Sequence, residues 1–186
     1  MNTFDTIMNR RSIRKFKTTA IPDEIITKML EAARFAPSWA NTQCWRFVLL
    51  REDVSKNKIL EAFSPRNPAY SSILASPLVV VAFAEKKKSG FYKGEAMTNK
   101  GDYWYMFDVA LALQNMVLAA WEEGIGSVYL GLFDAEKVRI ALNIPDNYEV
   151  VAIVPFGYPD EEPKCPPRKE TKDLVYYESY SDKKVE

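Results

Sequence analysis

The sequence predicts a three-layer α/β/α fold, with a mixed sheet covered by helices on both faces. Two observations support this prediction. Short apolar runs typical of buried strands alternate with segments of helical apolar spacing, and the alternation proceeds without an internal repeat. A chain of 186 residues is also long enough to bury about 70% of the surface that its unfolded form exposes. We therefore expect residues 1–186 to form a single domain.

The first half of the chain contains three predicted helices and two predicted strands. Residues Thr3–Asn9 place apolar side chains on one helical face. A second helix starts at Pro22, since proline suits the first helical position and the acidic residues after it suit the first turn. Its apolar spacing continues to about Phe35. The remaining elements are a strand at Trp45–Leu50, a helix at 54–63, a proline-punctuated loop at 64–70 and a buried strand at 77–84.

The second half is dominated by a helical segment over 103–123 that is apolar around most of its circumference. A helix of this kind is buried on more than one side, and its length of roughly 30 Å spans most of a domain of this size. Its burial partner is either a second copy of the same helix or the helix's own domain. The other predictions are a charged, mobile segment at 85–101, a strand at 125–130, a helix at 134–142 and a core strand at 149–156.

The C-terminal arm, residues 159–186, is polar and rich in proline and charge, so it cannot form a core of its own. Apolar and aromatic residues return at 174–177, near the end of the arm. We therefore expect the C-terminal arm to lie along another surface, such as that of a partner subunit.

Charge and composition exclude several classes of protein. Lys and Arg number 25, as do Asp and Glu, so no overall field attracts nucleic acid or an anionic membrane. The first residues lack the apolar core of a signal peptide, and the apolar run at 103–121 contains Asp108 and Gln114, which a membrane-spanning helix tolerates poorly. Cys44 and Cys165 do not have metal-ligand spacing. We expect a soluble, cytoplasmic protein with reduced thiols that binds neither nucleic acid nor a membrane.

The sequence contains no histidine. This absence excludes Ser-His-Asp and Cys-His catalytic arrangements, histidine-ligated zinc, haem with a proximal histidine, and imidazole as a general acid or base. Any reaction must therefore depend on carboxylates, lysine, tyrosine or an imported cofactor.

Two basic segments are candidates for binding a phosphate. Glycine-rich dinucleotide and P-loop motifs are absent, and the run at 124–131 has the wrong spacing for either. The run Arg10-Arg11-Ser12-Ile13-Arg14-Lys15-Phe16-Lys17 combines guanidinium groups, a hydroxyl and backbone N–H groups that together can hold a terminal phosphate. The alternative is that this run is a solvated basic loop. Pro166-Pro167-Arg168-Lys169 is the second candidate.

Two other segments offer groups for a heteroaromatic ligand. The loop at 36–47 carries amides and a hydroxyl that suit a ring with carbonyl and N–H edges, although by composition alone it is an ordinary polar loop. Gly126 and Gly131 allow the backbone of the 124–133 stretch to approach a ligand closely.

In this order and spacing, the four segments resemble the nitroreductase family of FMN-dependent oxidoreductases over nearly the whole chain. RRSIRKF is similar to the family's N-terminal RRSxRxF signature, and APSWANTQCWRF to its APSxxNxQPWxF loop. GIGSVYLGLF resembles the family's GxGSxxxGxF strand and turn, and PPRK stands where the family places a late basic residue. The segment DVALALQNMVLAA resembles the family's dimer-forming helix.

The resemblance implies an α+β fold with a mainly antiparallel sheet and a long central helix in a dimer interface. It also implies a homodimer that holds one FMN at each of two interface sites. The residues expected to bind the phosphate are Arg10, Arg11, Ser12 and Arg168. Arg14 is expected near the pyrimidine edge of the flavin ring, where a positive charge stabilises the anionic reduced flavin.

Other residues are expected around the flavin ring. Those implied to line it, some of them across the subunit interface, are Pro37, Ser38, Asn41 and Gln43. Those implied to present backbone toward flavin N5 are Tyr129, Leu130 and Gly131. No side chain needs to act as an acid or base, which agrees with the absence of histidine.

The resemblance implies ping-pong transfer of hydride equivalents from NADH or NADPH through FMN to a small-molecule acceptor such as a nitroaromatic or a quinone. Trp39, Tyr103 and Trp104 are candidates for lining the acceptor site, with a lid at 89–105; the alternative is that these aromatic residues are core. Three other functions stay open: a specialised dehalogenase, ene-reductase or flavin-fragmenting member, a flavin storage or regulatory protein, and an interaction domain without cofactor.

Two positions bear on the comparison with the family pattern. Cys44 stands where the family usually has proline, and we interpret it as a small buried hydrophobe; the alternative is a redox-sensitive thiol. Asn67 is the candidate for the mid-chain Asn or Lys that some members place beside the flavin.

Overall fold

The computed structural model describes residues 2–64, 67 and 70–180. Within these ranges, helices and strands alternate along the chain as the sequence predicts. The helices are α1 (Thr3–Asn9), α2 (Asp23–Arg34), α3 (Asp53–Leu60), α4 (Tyr70–Ala75), α5 (Tyr103–Glu122) and α6 (Ala135–Ala141). The strands are β1 (Trp45–Leu50), β2 (Leu78–Glu85), β3 (Phe91–Tyr92), β4 (Glu95–Ala96), β5 (Gly126–Ser127) and β6 (Tyr148–Gly157).

The main sheet has the strand order β1-β2-β6-β5, and each neighbouring pair is antiparallel. The central strands β2 and β6 are rich in β-branched residues, which pack well on a pleated surface; Val80 of β2, for example, pairs with Val154 of β6. A parallel bridge between Ser12 and Ser127 adds the N-terminal segment to the β5 edge. The sheet is therefore mixed and mainly antiparallel, which confirms the predicted fold class.

Alternate residues of β2 pack into different cores on the two faces of the sheet. Val80 packs with residues of α2 and α5, whereas Val79 and Val81 pack with residues of α3, α4 and α6. Since neighbouring strand residues point to opposite faces, this division produces three layers. The first core includes Met29, Leu78, Val80, Leu113, Met116 and Phe156, and the second includes Ile59, Ile73, Val79, Val81, Val138 and Ile153.

Helix α5 is buried along one face and exposed at its start. Its buried residues are Asp108, Val109, Ala112, Leu113, Met116, Val117 and Ala120. In contrast, Tyr103 is 75% exposed and Phe107 is 55% exposed within the single chain. The domain therefore covers only part of the apolar circumference that the sequence shows.

Two segments are more ordered than the sequence predicts. Helix α4 begins at Tyr70, the last residue of the expected loop, and continues over 71–75, where the sequence predicts no element. It forms because Ile73 is fully buried in the core that also contains residues of α3. Residues 65, 66, 68 and 69 of the expected loop lie outside the described residues. The expected mobile segment at 85–101 contains the β3–β4 hairpin instead. Buried Ser89 anchors this hairpin to α5 through a hydrogen bond to Asp108.

The expected strand at 125–130 is interrupted. Ser127 pairs with Phe156, and the next bridge joins Leu130 to Ile153. The register in between places Val128 opposite Pro155, which has no N–H to donate, so the ladder breaks there. Leu130 exchanges both ladder hydrogen bonds with Ile153, so the N–H and C=O groups of the neighbouring Tyr129 point away from β6.

The described part of the C-terminal arm, 159–180, crosses the surface with one short helical turn at Thr171–Asp173. Leu174, Tyr177 and Tyr180 are exposed, and residues 181–186 lie outside the described residues. Packing of the arm on a partner subunit thus stays a prediction. None of the described helices is long and apolar enough to span a membrane.

Candidate functional site

The basic segment at 10–17 runs from the end of α1 along the edge of the sheet. Ile13 donates its N–H to the Ser127 carbonyl at 2.9 Å, and Lys17 donates to the Tyr158 carbonyl at 2.9 Å. The Ile13 side chain is buried against Gly126, where an added Cβ atom would lie 2.5 Å from Ile13 Cγ1. Hydrogen bonding and this close backbone approach therefore hold the basic segment in one position.

The start of the C-terminal arm is fastened to the same segment. The Glu161 carboxylate accepts the Arg14 N–H at 2.5 Å and the Lys15 N–H at 3.1 Å, and Asp160 donates its N–H to the Lys15 carbonyl at 3.0 Å. Because these contacts turn the arm back over the N-terminal residues, Arg168 reaches the basic segment.

A cleft of about 300 Å³, here called the basic cleft, lies between the two segments. The residues that line it are Arg10, Arg11, Ser12, Arg14, Pro163, Lys164, Pro166 and Arg168. Five of these lining residues are cationic and none is acidic, so the charge that lines the cleft favours an anion. The structure thus brings together all four residues expected to bind a phosphate.

Hydrogen bonding in the basic cleft is incomplete. The Arg10 Nη1 atom is buried and, within the part of the chain that the structure describes, has no hydrogen-bond partner. Arg11 and Arg168 donate to backbone carbonyls, those of Met8 and Pro166 among them. A buried guanidinium nitrogen without an acceptor is costly, and the several cationic donors of the cleft suit an anion with several oxygens. The donor set fits a phosphate monoester.

A second cleft of about 180 Å³, here called the backbone cleft, adjoins the first, since Arg14 lines both. The residues that line it are Arg14, Asn67, Val128, Tyr129, Leu130, Gly131 and Leu132. Asn67 donates from Nδ2 to the Leu132 carbonyl at 2.9 Å. The structure therefore places Tyr129, Leu130 and Gly131 beside Arg14, and it places Asn67 with them.

Tyr129 is fixed at the border between the clefts. Its hydroxyl donates to Gln114 Oε1 of α5 at 3.3 Å. Burial raises the pKa of Tyr129 to about 12, while the positive charge of Arg10 acts in the opposite direction, although 39% of the residue is still exposed. The phenol is therefore neutral at physiological pH. The sequence pattern did not single out Gln114 for this contact, because nothing local relates α5 to the 124–133 stretch.

The loop at 36–44, here called the ring-side loop, is separate from both clefts. Pro37, Ser38, Asn41 and Gln43 line neither of them. Ser38 Oγ accepts the Gln43 N–H at 3.0 Å, and Gln43 Nε2 donates to Asn41 Oδ1 at 3.0 Å. A single chain therefore does not bring the ring-side loop to the cleft residues, which agrees with the expectation that part of the site crosses a subunit interface.

The backbone of the ring-side loop is strained. Ala40, Asn41 and Gln43 have positive φ angles of 45°, 54° and 47°. The left-handed region costs a residue other than glycine roughly 1–2 kcal/mol, less for asparagine. Such a conformation persists only where surrounding contacts stabilise it.

Cys44 is fully buried at the end of this loop. Burial, the negative charge of Asp108 and a hydrogen bond to that carboxylate raise the pKa of the Cys44 thiol to about 12. A thiol that stays protonated is a poor nucleophile. The structure supports the interpretation of Cys44 as a small buried residue rather than a redox-sensitive thiol.

The aromatic residues expected around an acceptor lie at the start of α5 and in the ring-side loop. Trp104 stacks edge-on against Phe107 at 5.8 Å and donates from Nε1 to Thr98 Oγ1 at 2.9 Å. Trp39, Tyr103 and Trp104 line neither the basic cleft nor the backbone cleft. Their role toward an acceptor stays a prediction.

A larger cleft, of about 430 Å³, lies elsewhere, beside α3 and α4. Its cations Arg51 and Lys56 are each paired with a carboxylate, of Asp23 and Asp53 respectively, so their charges are already neutralised. The basic cleft is the better anion site on this ground. Among the described residues, no group of histidine, cysteine and acidic side chains could hold a metal ion.

Comparisons with known proteins find related sequences and solved structures. Residues 7–158 match the Nitroreductase family. A protein of Archaeoglobus fulgidus whose name pairs NADH dehydrogenase with NAD(P)H nitroreductase is 37% identical over 162 residues, which cover 84% of each chain. An iodotyrosine deiodinase of Thermotoga neapolitana is 28% identical over 184 residues, which cover 95% of this chain and 98% of the deiodinase.

A solved structure superposes closely. It is the NADPH:FMN oxidoreductase of Vibrio harveyi in complex with NAD+, with a TM-score of 0.82 and 26% identity. The superposition covers 98% of this chain and 79% of the Vibrio chain. The shared architecture therefore extends over nearly the whole chain.

Proposed function

This chain belongs to the nitroreductase family of NAD(P)H-dependent oxidoreductases, and we propose that its cofactor is FMN and that its acceptor is a small molecule. The observation that carries the proposal is the basic cleft, which brings together Arg10, Arg11, Arg14, Lys164 and Arg168 without an acidic lining residue. The Arg10 Nη1 atom is also buried without an acceptor among the described residues. A phosphate monoester, which has three free oxygens, suits this donor set, whereas a neutral ligand does not. We propose the cytoplasm, where NAD(P)H is available, as the compartment.

The chain's own residues would position the cofactor. Arg10, Arg11, Ser12 and Arg168 would hold the phosphate, and Arg14, at the junction of the two clefts, would favour negative charge at the pyrimidine edge of the ring. The backbone of Tyr129 to Gly131 would face the ring. Bound FMN would supply the redox chemistry, accepting hydride from NADH or NADPH and reducing an acceptor that occupies the same face once the nicotinamide has left.

We propose a homodimer in which the partner's ring-side loop completes each site. Apolar residues that a monomer leaves in water support this assembly, and they lie on α1 and on the start of α5. They are Phe4, Ile7, Met8, Tyr103, Met106 and Phe107, each at least 45% exposed in the single chain. A second copy that covers them would also bury the rest of the apolar circumference of α5.

An anaerobic absorbance scan of the purified protein tests cofactor and chemistry together. We expect an oxidised-flavin spectrum that bleaches within seconds after NADH or NADPH is added and returns when a nitroaromatic or a quinone follows. Double-reciprocal plots of steady-state rate against NAD(P)H concentration, at several acceptor concentrations, should give parallel lines, as a ping-pong reaction requires. Kinetics that require a ternary complex would refute that order. A flavin that stays oxidised would point to a storage or regulatory protein, and a protein that binds no FMN would refute the cofactor proposal.

A reductive dehalogenase is the second candidate. The similarity to the Thermotoga neapolitana deiodinase over nearly the full length of both chains favours it. The same anaerobic experiment separates the two candidates if the reduced protein is mixed with an iodophenol, a nitroaromatic and a quinone in turn. Reoxidation that is fast only with the iodophenol would assign the dehalogenase activity.

A further inference from the structure

One buried carboxylate lies beneath the ring-side loop and has no role in the proposed site so far. Asp108 stands in the second turn of α5 and is fully buried. Among the described residues, its hydrogen-bond donors are all neutral. They are the Trp39 N–H at 3.0 Å, the Ser89 hydroxyl at 2.7 Å, the Thr42 hydroxyl at 3.5 Å and the Cys44 thiol at 3.7 Å.

Burying a charge without a cationic partner is unfavourable unless several donors satisfy it. Three of the four donors belong to the ring-side loop, and the fourth belongs to the segment that leads into the β3–β4 hairpin. The carboxylate therefore joins two segments that are otherwise separate in the chain. Its shortest contacts are to the Trp39 backbone and to Ser89, one in each segment.

The donors flank the strained part of the loop. Trp39 and Thr42 stand on either side of Ala40 and Asn41, which have positive φ angles, and Gln43 follows with another. The side-chain amides of Asn41 and Gln43 are exposed on this part of the loop, and Gln43 Nε2 donates to Asn41 Oδ1 at 3.0 Å. Without contacts on both sides, nothing would stabilise this unfavourable backbone conformation of the loop.

The hairpin side of the contact is equally constrained. Gly90 follows Ser89 with a φ of 83°, and a Cβ atom there would lie 2.5 Å from Trp104 Cδ1. The Ser89 hydroxyl is thus held close to α5 by the packing of its neighbour. A change in the hairpin would reach the ring-side loop through the Asp108 carboxylate.

We infer that Asp108 is the positioning residue of the ring-side loop: its carboxylate holds the loop in the strained conformation that displays Asn41 and Gln43, and it couples that conformation to the β3–β4 hairpin. The inference deepens the proposed function, since it rests on that function for the ligand that the two amides face. The ordering of the loop itself can be measured without any ligand.

Hydrogen exchange measured by mass spectrometry on peptides that cover 36–44 tests the inference in the apoprotein. In Asp108→Asn the side chain keeps its shape but loses acceptor capacity, so we expect the 36–44 peptides to exchange about tenfold faster. Ser89→Ala should accelerate both these peptides and those of the hairpin. The control is Asn115→Ala, which removes a hydrogen bond from the same helix to the Ala32 carbonyl and should leave 36–44 unchanged.

A second readout uses the flavin-loaded protein. We expect Asp108→Asn to lower kcat and shift the flavin absorbance bands, whereas Asn115→Ala should do neither. Equal exchange at 36–44 in Asp108→Asn and Asn115→Ala would refute the inference. If Asp108→Asn does not fold, Ser89→Ala and Thr42→Val replace it in the test. Unchanged hydrogen exchange of the 36–44 peptides in both variants would then refute the inference. A wild-type protein that binds no FMN would refute the proposed function, while the exchange data would still decide the role of Asp108.

Discussion

At the scale of single residues, arginine is the residue on which the proposed site depends most. A guanidinium has five donors in a fixed plane and keeps its charge when buried, so Arg10 stays a cationic donor for an anion although part of its side chain is buried. Its Nη1 atom is buried without an acceptor in the described part of the molecule. The sequence identified Arg10 as a candidate, but only the fold shows that one of its nitrogens is oriented away from solvent.

Arg10→Ala should weaken FMN binding by roughly 10- to 100-fold, since a hydrogen bond to a charged group contributes about 1.5–3 kcal/mol. Riboflavin, which lacks the phosphate, should bind the variant and the wild type equally. Flavin fluorescence titrations measure both affinities. Lys17→Ala, in the same basic segment but outside the cleft, is the control. Equal losses for FMN and riboflavin would show that Arg10 does not contact the phosphate.

Cys44 predicts a pH dependence of stability. Its pKa is about 12 in the folded protein, against an ordinary value of 9.0, so the unfolded chain releases this proton first as pH rises. The free energy of unfolding should therefore fall from about pH 9 upward, at most by about 1.4 kcal/mol per pH unit from this group. At lower pH, Cys44 should contribute nothing to the pH dependence of this free energy. Urea unfolding of wild type and Cys44→Ala at about pH 8 and about pH 10 measures the difference. The same difference in free energy of unfolding between wild type and Cys44→Ala at both pH values would contradict the prediction.

At the scale of elements, the position of the basic segment depends on the β5 edge. Gly126 contacts Ile13 so closely that no side chain fits between them. The ladder bonds of Leu130 with Ile153 turn the Tyr129 backbone groups away from β6, and Tyr129 lines the backbone cleft. The elements that build the site are therefore short or irregular. Long regular elements such as β2 and α5 provide the rigid support behind them.

Gly126→Ala should displace the basic segment. An added Cβ atom would lie 2.5 Å from Ile13 Cγ1 and 3.1 Å from Pro159 Cγ, and overpacking of this kind costs about 1–3 kcal/mol. We expect a lower Tm and weaker FMN binding together. Gly131→Ala, where an added Cβ meets nothing within 4 Å, is the control for stability and should keep the wild-type Tm. An unchanged Tm in Gly126→Ala would contradict the prediction, because the basic segment would then accommodate the added Cβ atom without loss of stability.

At the scale of the whole molecule, the separation between the ring-side loop and the clefts is the main structural argument for a dimer. Each chain supplies cationic residues on one surface and the amides of Asn41 and Gln43 on another. A symmetric dimer would bring the cationic surface of one chain to the amide surface of the other, and its two-fold axis would create two equivalent sites.

Phe107→Asp should disrupt the proposed dimer, because it places a charge on an apolar surface that is 55% exposed in the single chain. We expect wild type to sediment as a dimer and the variant to dissociate, with FMN binding weakened roughly tenfold where the monomer predominates. Val54→Asp, at a 72% exposed apolar residue of α3, is the control and should stay dimeric. A monomeric wild type that binds FMN fully would refute the shared site.

The sequence by itself determined the features that depend on neighbours in the chain. The bounds of α1 and β1 match their predictions, since capping, apolar spacing and β-branched runs act within a few residues. The absence of histidine restricted the chemistry, and the arginine-rich run indicated an anion site. The helix at Tyr70–Ala75 was missed because its stability comes from the burial of Ile73 rather than from a strong local signal.

Only the tertiary structure decided which distant residues meet. Arg168 joins Arg10 because Glu161 turns the arm back, Tyr129 reaches Gln114 of α5, and Asp108 accepts from Trp39, 69 residues away. No periodicity encodes such contacts, because their free energy comes from packing and charge burial that exist only after the sheet and helices assemble. The family resemblance implied Asn41 and Gln43 as ring residues, and this stays a prediction. The Asp108 carboxylate beneath them was found only in the fold, for the same reason.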